Sequence, residues 1–153
     1  MTIDLLAEGS LNAPRSFGSD LKRVRPLRIL LADDDELVRA GTAEMLGEAG
    51  HQVIEAASGT EALSIFEADR RIELLITDNL MPGMTGLALI ALVRRFAPSL
   101  PILLVTGYAS RDDDIAADVG LLAKPFREAG LLVAVRDLIS SADEKRHRDW
   151  PNS

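Results

Sequence analysis

Four short apolar runs in this sequence end on residues that could do chemistry together. ILLA leads into Asp33, Asp34 and Asp35, LLIT into Asp78, ILLV into Thr106 and Gly107, and LLA into Lys124 and Pro125. Clustered carboxylates repel one another and raise one another's pKa. A hard divalent cation relieves that repulsion, and an oxygen-only donor set suits Mg²⁺ that keeps some of its waters. Such an ion offsets the charge of an incoming phosphoryl oxygen. A lysine supplies a second positive contact, and a threonine hydroxyl can donate to a further oxygen. A central carboxylate is a competent nucleophile for an acyl phosphate. Phosphoryl transfer is mostly positioning and electrostatics, so little else is required. Singly, each group has an ordinary explanation: an acidic turn, an Asp-Asn turn, a strand end, an exposed lysine before a rigid proline. Jointly, four strand ends carrying complementary chemistry are poorly explained by those ordinary readings.

The elements that must bring them together are legible as patterns. RILLA (28–32), LLIT (74–77) and ILLV (102–105) are short apolar runs bounded by turn residues, as strands buried on both faces are. QVIEA (52–56) reads as a strand nearer an edge, and LLA (121–123) as a last short strand. Helical spacing separates them. Val38, Gly41, Met45 and Leu46 fall at helical intervals in 36–48. Ser58 with Glu61 makes a capping box for a helix carrying Ala62, Ile65 and Phe66. Residues 86–97 are apolar enough for a well-buried helix. Residues 127–141 repeat Leu131, Leu132, Val135, Leu138 and Ile139 in one stripe. Strands alternating with helices predict an α/β fold with a parallel sheet covered on both faces. Right-handed crossovers then put the strand ends on one edge, where ligands of open α/β sheets sit.

Composition narrows the function classes. The 153 residues suit one domain, and 47% hydrophobic with 4% aromatic content predicts an aliphatic core. There is no cysteine, which excludes disulfides, thiolate metal sites and a cysteine nucleophile. A net charge of −7 disfavours nucleic acid and anionic membranes as partners. The first residues do not resemble a signal peptide, and no apolar run approaches the roughly 18 residues of a membrane span. The expectation is a cytoplasmic protein: a flexible lead-in over 1–26, a folded domain over 27–141, and a solvated tail over 142–153. In the lead-in, Ile3, Leu5 and Leu6 form a short apolar group; in the tail, Lys145, Arg146, Arg148 and Trp150 stand together.

ILLADDDELVR (29–39), TDNLMPGMTG (77–86), VTG (105–107) and KPF (124–126), in that order, resemble the receiver domains of two-component response regulators, the CheY-like family. The likeness covers about 27–140. It implies a flavodoxin-like (βα)5 three-layer sandwich with strand order 2-1-3-4-5. It implies Asp78 as phosphoacceptor, and Mg²⁺ held by Asp34, by Asp33 through water, by Asp78 and by the backbone carbonyl of Leu80. Lys124 would pair with the phosphoryl group and Thr106 would move toward it. A cis bond is implied before Pro125, and Asp35 is expected to begin a helix. The implied partners are a histidine kinase or a histidine phosphotransfer protein, with a further protein downstream.

Three departures from the family pattern stand out. Only eighteen positions separate Thr106 from Lys124, so the fourth helix, around Asp112–Asp118, is expected to be short or irregular. That puts a dimer through this face in doubt and favours a monomer or weak dimer. Leu121 stands where the family often carries an aromatic. Leu80 and Tyr108 flank the phosphoryl position and are expected to hinder attacking water. The TGYAS stretch and the shortened helix are similar to receivers of hybrid histidine kinases. Two competing functions remain at this point. One is a Mg²⁺-dependent phosphohydrolase, although Leu80 stands where such enzymes commonly place an acidic residue. The other is an unphosphorylated interaction module. A transcription factor is disfavoured by charge and by the absence of a second domain.

Overall fold

The computed structural model describes residues 24–107 and 115–148. Five parallel strands form one sheet in the order β2-β1-β3-β4-β5. They are β1 (Arg28–Ala32), β2 (Gln52–Ala56), β3 (Leu74–Asp78), β4 (Ile102–Thr106) and β5 (Gly120–Ala123). Among the described residues four helices cover the sheet: α1 (Glu36–Glu48), α2 (Gly59–Ala68), α3 (Gly86–Phe96) and α4 (Glu128–Arg148).

The apolar runs are continuous because both faces of the central strands are covered. Successive strand residues point to opposite sides. Leu30, Leu75 and Leu104 face a core closed by Ala62 and Phe66 of α2 and Leu89 and Val93 of α3. Ile29, Leu31, Ile76, Leu103 and Val105 face the other core, closed by Leu46 of α1 and Leu131, Val135 and Ile139 of α4. All five residues of β3 are buried. Edge strand β2 is only partly buried, as its mixed composition predicts.

The helix starts follow from the side chains just before them. Asp35 caps α1, accepting from Leu37 N at 3.0 Å and Val38 N at 3.2 Å. Ser58 accepts from Glu61 N at 3.0 Å, and the Glu61 carboxylate accepts from Ala57 N at 2.7 Å, so the box closes one residue before the cap. Thr85 caps α3 through Ala88 N. Helix α1 stops at Gly50, whose φ of 103° suits glycine. There Gly50 N donates to Gly47 O and His51 N to Leu46 O, which satisfies two terminal carbonyls.

One boundary differs from the sequence reading. Helix α4 continues to Arg148, taking in the first seven residues of the expected tail. The charged residues there are exposed, so they stay solvated while remaining helical. Basic side chains in the last turn favour the negative helix end, and Arg146 pairs with Asp143 one turn back. Between β4 and β5, the described residues 115–119 form turn and bend, as the expectation of a short or irregular fourth helix allows. Tyr108, Asp112, Trp150 and the apolar group Ile3, Leu5 and Leu6 lie outside the described residues. No described helix is long and apolar enough to cross a membrane.

Two close contacts fix this frame. Leu27 N donates to buried His51 Nδ1 at 3.1 Å. Burial lowers the His51 pKa, with Glu73 opposing, so the ring is neutral in the folded chain. A histidine pKa below its unfolded value of about 6.5 means stability is intact above that pH and falls as pH drops through it. His51→Ala should cost about 1–3 kcal/mol at pH 7 in urea unfolding, because Leu27 N loses its acceptor. It should also flatten the decline in stability between pH 7 and about 5.5. The second contact is at Gly86, where a Cβ would lie 2.3 Å from Asp78 O and 2.9 Å from Asn79 Cα. Gly86→Ala should destabilise the chain by roughly 2–3 kcal/mol. A control at Gly41, where a Cβ meets nothing within 4 Å, should do no such harm.

Candidate functional site

The parallel sheet brings the four strand ends to one edge. Strand β3 pairs with β1 on one side and β4 on the other, and β4 pairs with β5. Asp78 is the last residue of β3 and is 8% exposed. Asp33 follows β1 and is 5% exposed, while Asp34 beside it is exposed. Lys124 follows β5, with its Nζ 3.4 Å from Asp78 Oδ1 and 3.7 Å from Asp33 Oδ2. Its backbone N donates to Thr106 O at 2.8 Å, which joins the β4 and β5 ends. The Lys124–Pro125 bond is cis.

Backbone and side-chain bonds hold the loops that carry these groups. Asp33 N donates to Ala56 O at 3.1 Å. Asp33 Oδ1 accepts from Asp35 N at 2.9 Å, leaving Oδ2 to face Lys124. Arg39 reaches back from α1 and donates to Asp33 O at 2.8 Å. A 3.0 Å contact with Glu55 on β2 holds that guanidinium in place. After Asp78, Asn79 N donates to Val105 O at 3.2 Å, and Asn79 O accepts from Gly86 N at 2.9 Å. Asn79 Oδ1 accepts from Leu87 N, which ties the loop to the first turn of α3.

Electrostatics at the site are unbalanced. Burial pushes the Asp78 carboxyl above the usual carboxylate range; Lys124 opposes the shift and Asp33 adds to it. Asp33, Asp34 and Asp78 each offer a carboxylate oxygen within 4.8 Å of the others. Three carboxylates face one ammonium, a surplus of negative charge that a small divalent cation fits. Two of these acids are buried and one is open to solvent, so an ion there could keep waters on its outer side.

The structure brings Asp33, Asp34, Asp78 and Lys124 together and places Thr106 at the neighbouring strand end. Leu80 lies in the loop after β3, with its side chain 72% exposed. Leu121 is 57% exposed on β5, far from a buried aromatic's setting. Sequence reading did not single out Arg39, Asn79 or Gly86. Asn79 and Gly86 sit within the TDNLMPGMTG motif, where an Asx residue and a glycine before a helix are visible signals. Arg39 had none, because its role depends on the register of β1 against β2.

Residues 29–136 match the response regulator receiver domain family. The chain is 32% identical over 119 residues to the response regulator receiver protein CpdR of Brucella abortus, covering 75% of this chain and 98% of CpdR. It is 34% identical over 120 residues to the sensor kinase CckA of the same organism, but covers 13% of that protein. It likewise spans 29% of the Escherichia coli transcriptional regulatory protein GlrR. Among solved structures, the chemotaxis protein CheY4 of Vibrio cholerae superposes with a TM-score of 0.69 at 30% identity, covering 74% of this chain and 99% of that one. The receiver domain of the hybrid histidine kinase CckA superposes with a TM-score of 0.64 at 34% identity, covering 73% and 98%. With the family matched across most of its length and its acidic strand ends assembled on one sheet edge, the chain belongs to the response regulator receiver domains of two-component systems.

Proposed function

We propose that this chain accepts a phosphoryl group on Asp78 from a phosphohistidine donor, with Mg²⁺ bound beside it, and signals through protein contacts or by passing the group on. The observation that carries the reading is Lys124 Nζ shared between Asp78 and Asp33, at 3.4 and 3.7 Å, next to a three-carboxylate cluster. Asp33, Asp34, Asp78 and the Leu80 carbonyl would hold the ion. When bound, it supplies charge neutralisation for the phosphoryl oxygens. An Asp78 carboxylate oxygen attacks phosphorus; the new P–O bond forms as the donor's P–N bond breaks, and the donor imidazole leaves with the bonding pair. Lys124, already oriented toward Asp78, pairs with a phosphoryl oxygen. Thr106, whose carbonyl accepts from Lys124 N, would donate its hydroxyl to another. The chain is thus a self-modifying switch whose state selects a partner. Histidine kinases or histidine phosphotransfer proteins are the fitting donors, and a cytoplasmic setting suits them.

Incubation with a small acyl-phosphate donor should add one phosphoryl group in intact-mass spectra. The adduct should require both Mg²⁺ and Asp78, and Asp78→Asn should abolish it. Absence of an adduct together with no beryllofluoride binding would leave an unphosphorylated module. Continuous turnover of a general phosphate ester would favour a hydrolase instead. A separate expectation concerns Arg39, which fixes the Asp33 carbonyl without offering a ligand. Arg39→Ala should weaken Mg²⁺ binding by about tenfold. Thermal stabilisation of the wild type and variant across a Mg²⁺ titration measures this directly.

A further inference from the structure

A groove of about 730 Å³ opens at the end of the sheet opposite Asp78, between β5 and α4. Its apolar floor includes Leu121, Val133, Ala134 and Leu138; Lys145 and Arg146 stand at one end of its rim, while Asp137 and the Arg94–Asp118 pair line the rest. Leu121 and Val133 are among the exposed large hydrophobics, 57% and 37% accessible. Strand β5 is an edge strand, and the described residues 115–119 turn without laying a helix over it. An open apolar floor with Lys145 and Arg146 at one end fits a short aliphatic segment whose acidic residues lie at that end.

The chain carries such a segment. Ile3-Asp4-Leu5-Leu6 is followed by Glu8, and the first basic residue is Arg15. The described residues begin against α4, the helix that forms one wall of the groove. Arg25 contacts Asp143 of α4 at 3.9 Å, and the same Asp143 oxygen contacts Arg146 of the rim at 3.6 Å. From Leu6 to Val24 an extended chain spans roughly 60 Å, against a radius of gyration of about 13 Å for a domain of 100 residues. Reach therefore does not limit the contact. A tether of this length gives an effective concentration near the millimolar range, so even a weak contact becomes populated. We propose that Ile3, Leu5 and Leu6 seat on Leu121, Val133 and Leu138 of their own chain, with Asp4 and Glu8 turned to Lys145 and Arg146.

The absence of native cysteine allows a single nitroxide at Ala7→Cys in the full chain. The methyl signals of Leu121, Val133 and Leu138 should lose about half their intensity or more. Those of Leu37 and Leu80, near the opposite end, should keep theirs. Ile3→Ser, Leu5→Ser and Leu6→Ser together should restore the groove signals, and so should Leu121→Asp from the other side. A sample mixing spin-labelled chains with isotope-labelled, untagged ones should show no loss. Equal loss in that mixed sample would make the occupant a second copy and overturn the proposal. Broadening elsewhere, or none at the groove, would overturn it outright.

Discussion

The structure is organised around one costly placement, a carboxylate at the end of a fully buried central strand. Strand β3 has no exposed residue, and Asp78 closes it. Burial disfavours the charged form there, and Asp33 makes matters worse. The positive counterweight has to come from a distance. Lys124 follows β5, and β4 lies between β5 and β3 in the sheet. Neighbouring strands are about 4.8 Å apart, so the ammonium must cross the end of a whole strand to reach Asp78. A four-carbon stem can do that.

The other demand is that three loops hold still while carrying like charges. They do so mainly with neutral backbone bonds and one half-buried guanidinium. Asp33 is held from both ends, by Ala56 O at its N–H and by Arg39 at its carbonyl. Spending the Arg39 charge on a carbonyl and on Glu55 keeps it off the carboxylates, whose surplus negative charge is left for a cation. Past Asp78, Asn79 and Gly86 close the loop so tightly that no side chain fits at Gly86. The site is therefore held by packing and by bonds that do not change with its charge state.

How much of this the sequence discloses depends on whether a feature is local. Strand ends, caps and apolar runs are local, so Asp33, Asp34, Asp78, Thr106 and Lys124 could be placed on one edge from pattern alone. Asp35 and Ser58 announced their helices in the same way. Arg39 could not be read, because its partners Asp33 O and Glu55 depend on how β1 aligns with β2. His51 was equally silent: a lone histidine after a glycine carries no sign that its ring receives Leu27 N across the sheet. The end of α4 was misplaced for a different reason. The apolar stripe stops at Ile139, but a helix can outrun its buried face when charge pairs and terminal basic residues support the exposed turns.

The two edges of the sheet are not equivalent, and the difference bears on how a charge change at Asp78 could travel. On β2, Gln52 to Ala56 pair along the whole length of β1, and Asp33 N anchors the end. On β5 the four residues alternate between half-buried and exposed, and none is buried. The strand that carries Lys124 is thus the least packed strand of the five. Low local burial is where proteins yield first. A phosphoryl group on Asp78 would pull on Lys124 directly, and Lys124 is bonded to Thr106 O and is continuous with β5. Strands β1 and β3, by contrast, have both faces filled, so the sheet is packed most firmly on the side away from Lys124.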